Sequence, residues 1–323
     1  PKMSNPPIPR PHPVQVHHYL PSSSSTTNEP PHPLQTYEHT YFHPAQVPAP
    51  SNALVFIGGL GDGPHTIPYV QSLVRPLSTL PSDRDDIYNG RYSVFEARLS
   101  SAFTGFGHGS LAQDAREIAD LVRYLRRGLG MRRVVLMGHS TGCQDCLEYA
   151  AVTKSLDDGG EEEEEELEEA WATRVDGYIL QGPVSDREAI QMGEDPVEVA
   201  GSLRVARGMG WRGSPVTAYR WASLAGVGGD DDYFSSDLSD DKLAAIWGRL
   251  ERPVLIVPSE KDEWVPAGTD VMGLVRKWMG FCKPGIASEL SGLIPGANHR
   301  VDNEAGQQWL ADRVARFLAE IGK

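Results

Sequence analysis

Four short, largely apolar runs recur along the chain: Ala53–Ile57, Arg133–Met137, Asp176–Leu180 and Pro253–Val257. Consecutive apolar positions over about five residues suit a strand buried on both faces. Between them the spacing changes to that of helices. Leu111, Ala115, Ile118, Leu121, Val122 and Leu125 share one face of a helix over Leu111–Leu125,. Further helices are predicted over Tyr69–Leu80, Gly142–Lys154 and Ala305–Ile321. Further strands are predicted at Val14–Leu20, Leu34–Phe42, Tyr92–Ala97 and Leu290–Ile294. Strands alternating with helices imply a mainly parallel central sheet with helices on both faces.

Two stretches interrupt this rhythm and divide the core. Residues 1–13 are proline-rich and are expected to be disordered. Residues 14–185 form the first part of the core. Within it, 156–169 is an acidic low-complexity insertion whose like charges repel and stay solvated,. Residues 186–247 mix helical patches with Gly- and Asp-rich turns and read as an inserted lid. The core resumes at 248–323. At 323 residues the chain fits one large α/β domain carrying an insertion,.

Charge and composition narrow the partners. The net charge of −14 lacks the basic stripe that neutralises phosphates, so neither nucleic acid nor an anionic membrane is an expected partner,. No stretch approaches the roughly 20 apolar residues that cross a bilayer. The first thirty residues have no apolar signal-peptide core, so the protein is expected to be cytoplasmic, as a monomer or homodimer,. Three cysteines make no even framework. Cys143 and Cys146 are expected to be structural thiols on a helix,. Histidines 12, 17, 18, 32, 39 and 43 are scattered among prolines without a fixed ligand spacing, so neither a metal nor a cofactor is expected,.

The candidate chemistry sits at the ends of the apolar runs. Gly138-His139-Ser140-Thr141-Gly142 joins a predicted strand to a predicted helix. That context makes the G-x-S-x-G a nucleophile elbow, a strained turn that lifts Ser140 clear of the sheet. A serine hydroxyl needs a base. His299, in Pro295-Gly296-Ala297-Asn298-His299, is the only histidine after His139 and precedes the last helix. The acid is expected at Asp262, in the loop after the Pro253–Val257 strand; Glu260, Glu263 and Asp186 are alternatives. The oxyanion donors are expected to be the backbone N–H groups of Thr141 and of Leu60, in Gly58-Gly59-Leu60-Gly61-Asp62-Gly63,. Trp211, Tyr219, Trp221, Asp231, Asp232, Tyr233 and Phe234 are candidate substrate contacts in the lid. Its aspartates either draw a cationic ligand or form a solvated turn with Asp N-caps for a helix beginning near Lys242,.

The chain resembles a branch of α/β-hydrolases from fungi and plants that includes the fungal siderophore esterase acting on fusarinine C. The likeness runs from about Asn52 to Ala315. It rests on Phe56–Gly63, on Met137–Asp145, on Gln181-Gly182-Pro183-Val184-Ser185-Asp186-Arg187-Glu188 and on Asp231-Asp232-Tyr233-Phe234-Ser235-Ser236-Asp237-Leu238. The resemblance implies the α/β-hydrolase fold, serine ester hydrolysis and a small-molecule ester substrate, with a ferric siderophore a candidate. The glutamate run departs from the family pattern and leaves the triad untouched. A non-catalytic ligand-binding module is the competing reading, disfavoured by the intact Ser–Asp–His order. A lipase, thioesterase or peptidase is another.

Overall fold

The computed structural model describes residues 13–21, 32–39, 49–80, 90–157, 164–193 and 216–321. Expectations for residues 1–12, for Phe42, for Trp211 and for the first part of the glutamate run lie outside them.

The apolar runs become the middle of a sheet. β3 (Asn52–Ile57) is buried at every position, as are β6 (Gly177–Gln181) and β7 (Val254–Val257). β5 (Arg133–His139) and β4 (Tyr92–Arg98) flank β3. β1 (Val14–Tyr19) and β2 (Leu34–His39) add an antiparallel edge. The seven-stranded order is β1-β2-β4-β3-β5-β6-β7, parallel from β4 through β7.

Because side chains alternate across a strand, β3 feeds two cores. Ala53, Val55 and Ile57 face α2 (Leu111–Arg123) and α3 (Gly142–Asp157). Leu54 and Phe56 face α1 (Val70–Ser78) and α9 (Glu304–Ile321). This is the α/β-hydrolase architecture expected from the sequence.

The remaining helices are α4 (Glu164–Thr173), α5 (Asp186–Gly193), α6 (Ala218–Ala225), α7 (Asp240–Trp247) and α8 (Val271–Phe281). Trp247 of α7 stacks on Trp278 of α8 at 5.4 Å, and Phe234 lies 5.5 Å from the same indole. The second half of the inserted segment is therefore packed into the core.

Three local expectations are corrected. Leu290–Ile294 is not a strand: only isolated parallel bridges, Val254 with Ala287 and Ser259 with Ile294, run beside β7. Helix α2 ends at Arg123 and widens into a π-turn at Tyr124–Gly128. That turn brings the buried Arg126 guanidinium onto Asp176 at 2.7 Å and onto the Arg174 and Arg132 carbonyls. Part of the acidic run is helical, as α4, because counter-charges face it: Arg123 pairs with Glu169, and Arg127 lies 3.3 Å from Glu169 and 3.6 Å from Glu168.

Candidate active site

Ser140 sits between β5 and α3 at φ +55°, a conformation non-glycine residues rarely adopt,. Small neighbours make the turn possible. A Cβ on Gly138 would lie 2.2 Å from the Gly142 carbonyl oxygen, and one on Gly142 would lie 2.4 Å from that of Ile57. A Cβ on Gly59 would meet Ser140 Cβ at 2.6 Å. The Ser140 N–H donates to the Gln181 carbonyl at 3.0 Å, so the elbow is tied to the end of β6.

His299 stands on the loop before α9. Its Nδ1 lies 2.7 Å from Asp262 Oδ2, with both side chains buried. The geometry separates the three neighbouring carboxylates. Asp262 takes the ring, Glu263 accepts the His299 backbone N–H at 2.9 Å, and Glu260 accepts the Gly296 N–H at 2.6 Å. Asp186 is elsewhere, accepting from Gln144 Nε2 at 2.6 Å. The imidazole packs on Gly182, where a Cβ would come within 3.2 Å of its Cε1. Ser140 and His299 thus both rest on the Gln181–Gly182 end of β6.

Gln181 has a role that sequence reasoning missed. Its Oε1 accepts from the Tyr69 hydroxyl at 2.9 Å and from His139 Nδ1 at 2.5 Å. Its Nε2 donates to Ser259 Oγ at 3.4 Å and to the His299 carbonyl at 3.3 Å. A buried amide satisfied on all sides fixes its neighbours. Because Oε1 only accepts, His139 carries its proton on Nδ1. Burial, reinforced by the nearby His299, pushes the His139 pKa down to about 4, so it stays neutral. In the sequence Gln181 stood out only as the first residue of one of the motifs that carry the family resemblance, just past a predicted buried strand; nothing there pointed to its hydrogen bonds.

The glycine loop after β3 is held against the elbow. Asp62 Oδ2 accepts the Gly59 N–H at 3.1 Å, Asp62 Oδ1 accepts from Thr66, and the Asp62 N–H donates to the Gly59 carbonyl. Leu60 is half-buried in this turn and Thr141 is buried beside Ser140.

The described lid candidates have partners of their own. Asp231 is buried against Arg220 Nη1 at 2.6 Å and Ser223 Oγ at 2.5 Å. Asp232 accepts the Gly228 N–H and lies 3.4 Å from Arg187 Nε. Trp221 packs with Val216 and Ala225, and Phe234 with the α7 and α8 tryptophans. Tyr219 and Tyr233 line a cavity of about 280 Å³ with Glu148, Asp230, Lys242 and Arg249; its lining includes none of Ser140, Asp262 and His299. Ser239, not an aspartate, caps α7, with Asp240 and Asp241 in its first turn. Cys143 and Cys146 are buried free thiols whose pKa burial raises well above the ordinary value, which makes them poor nucleophiles,.

The sequence profile of a family described as protein of unknown function (DUF1749) matches residues 9–319. A UPF0613 protein of Schizosaccharomyces pombe is 31% identical over 299 residues, covering 82% of this chain and 86% of the relative. The fusarinine C esterase sidJ of Aspergillus fumigatus is 28% identical over 353 residues, covering 90% and 94%. Among solved structures, the siderophore hydrolase EstB from Aspergillus fumigatus superposes with a TM-score of 0.69 at 27% identity, covering 96% of this chain and 98% of that one.

Proposed function

Since this chain belongs to the DUF1749 family of α/β-hydrolases, we propose that it is a serine carboxyl-ester hydrolase with Ser140 as nucleophile, His299 as base and Asp262 as the acid that orients it. The observation that carries the reading is the buried 2.7 Å contact between His299 Nδ1 and Asp262 Oδ2, with the ring against Gly182 and the Ser140 elbow, at φ +55°, tied to the adjacent Gln181 carbonyl. Asp262 keeps the proton on Nδ1 and leaves Nε2 to take that of Ser140. The serine oxygen attacks the ester carbonyl as His299 accepts its proton. The resulting oxyanion is received by the N–H groups of Leu60 and Thr141. Collapse expels the alcohol, protonated by His299, and leaves an acyl-serine. Water, deprotonated by the same imidazole, releases the acid and restores the enzyme.

For substrate we propose the ester bonds of a hydroxamate siderophore of the fusarinine C type, ferric or iron-free, cleaved inside the cell to release iron. Support comes from two siderophore-directed relatives that align over nearly the whole chain. The test is a hydrolysis screen of short acyl esters against ferric and iron-free fusarinine C, with products read by mass spectrometry. Siderophore cleavage at a kcat/KM well above that of the short esters supports the substrate. Cleavage of short esters alone, with the siderophores intact, returns the protein to a general carboxylesterase.

A further inference from the structure

We propose that His39, His65 and Glu96 form a binding site for a first-row divalent cation of the zinc class, bracing the loop that carries Leu60 against the β2–β4 pair of the sheet. The three residues come from separate parts of the chain. His39 ends β2, Glu96 is on β4, and His65 lies in the loop between β3 and α1. In the antiparallel β2–β4 pair, His39 is opposite Val94, so Glu96 is its diagonal neighbour on the same face,. One ligand atom from each residue lies within 4.8 Å of the others.

Both imidazoles face the same carboxylate. His39 Nε2 is 3.2 Å from Glu96 Oε1, and His65 Nδ1 is 3.3 Å from Glu96 Oε2. Zinc binds imidazole nitrogen and carboxylate oxygen at about 2.0–2.2 Å, so a small closure of these side chains around an ion would bring all three into reach. Two neutral imidazoles and one carboxylate are a donor set that first-row divalent ions favour. The His39 and Glu96 side chains are 1% and 2% exposed, which fixes two ligands on rigid strands. His65 is 37% exposed, which gives an ion a way in and leaves one coordination position open to solvent. The third ligand is also held in place: the His65 N–H donates to Glu96 Oε2 at 2.6 Å, its φ is +68°, and its ring meets those of Tyr37 and His39 edge-on. The inference is independent of the serine-hydrolase reading, since none of the three residues takes part in that chemistry.

The test uses the full-length protein, stripped with a chelator and free of any affinity tag. Zn²⁺ is titrated in competition with a chromogenic chelator, and Co²⁺ is added separately to read its visible absorption. His65→Ala and Glu96→Gln are compared with wild type, their metal-free folds checked by circular dichroism. The expected result is one tight equivalent of Zn²⁺ in wild type, a four- or five-coordinate Co²⁺ spectrum, and a melting temperature that rises with Zn²⁺. Both variants should lose at least tenfold in affinity and lose the thermal shift. His65→Ala removes a surface ring, so it reports even if Glu96→Gln misfolds. Wild-type protein that binds no Zn²⁺ would overturn the proposal. So would a His65→Ala variant with unchanged affinity and stoichiometry, because the ion would then be held by other histidines.

Discussion

Gln181 reaches the reaction only through its neighbours, yet it links the elbow strand, Tyr69 and the backbone of His299. Gln181→Ala is expected to lower kcat by about 10²-fold, the scale of a 1 Å misplacement, with KM little changed. Initial-rate kinetics separate that from a general loss of fold, which would lower the active fraction and leave the kcat per titrated site intact. The carboxylates near His299 give a sharper contrast. Asp262→Asn should cost roughly 10³–10⁴-fold in kcat, since an amide cannot stabilise the imidazolium. Glu263→Gln keeps an acceptor for the His299 N–H and should stay within about tenfold of wild type. Chain order and loop position pointed to Ser140, His299 and Asp262, with Glu260, Glu263 and Asp186 left as alternatives. Which of three clustered carboxylates faces the ring depends on loop conformation, which spacing does not encode. Gln181 was less legible still, because a buried amide at a strand end has no periodic signature.

Segments with strong periodicity were read to within a few residues, and the departures have specific causes. The apolar run Leu290–Ile294 lies alongside β7 without joining it beyond single bridges, because apolar content alone does not distinguish a ladder from a packed loop. The acidic run reads as solvated until Arg123 of α2 and Arg127 of the following π-turn are placed opposite it. Glu169→Gln should lower the melting temperature slightly, and by less as salt rises: the pair with Arg123 is partly exposed, and such pairs contribute about 1 kcal/mol or less,. The inserted segment shows the largest gap between pattern and structure. Its aspartates read in sequence as either a ligand-steering cluster or a solvated turn, but Asp231, Asp232 and Asp237 pair with Arg220 and Arg187, and Asp240 with Lys277. Asp231→Asn is therefore expected to destabilise the protein, measured as a lower urea midpoint, without changing preference between a neutral and an amine-bearing ester.

Across the whole molecule, burial shifts several acids and so contributes to the response to pH. Burial pushes Asp114 up to about 7 and raises Asp145 and Asp186 well above the ordinary carboxylate range. Their unfolded counterparts ionise near 4. As pH rises from about 4 to 7, the unfolded chain releases protons that the folded state retains, so this group loses stability with rising pH. His139 acts in the opposite sense. Its pKa near 4 against 6.5 when unfolded adds stability as pH rises through that interval and contributes no further change above it. Thermal melts of Asp114→Asn against wild type should show a stabilisation that grows from pH 5 to pH 7 and then levels off. A constant difference would mean that Asp114 is ionised throughout. The central claim, that Ser140 is a nucleophile driven by His299, is tested most directly by intact-protein and peptide mass spectrometry after reaction with a fluorophosphonate. The expected result is a single phosphonyl adduct on the peptide containing Ser140, absent from Ser140→Ala and formed at least about 10³-fold more slowly in His299→Ala. An unlabelled wild-type protein that still hydrolyses esters, or a Ser140→Ala variant labelled at the wild-type rate, would contradict it.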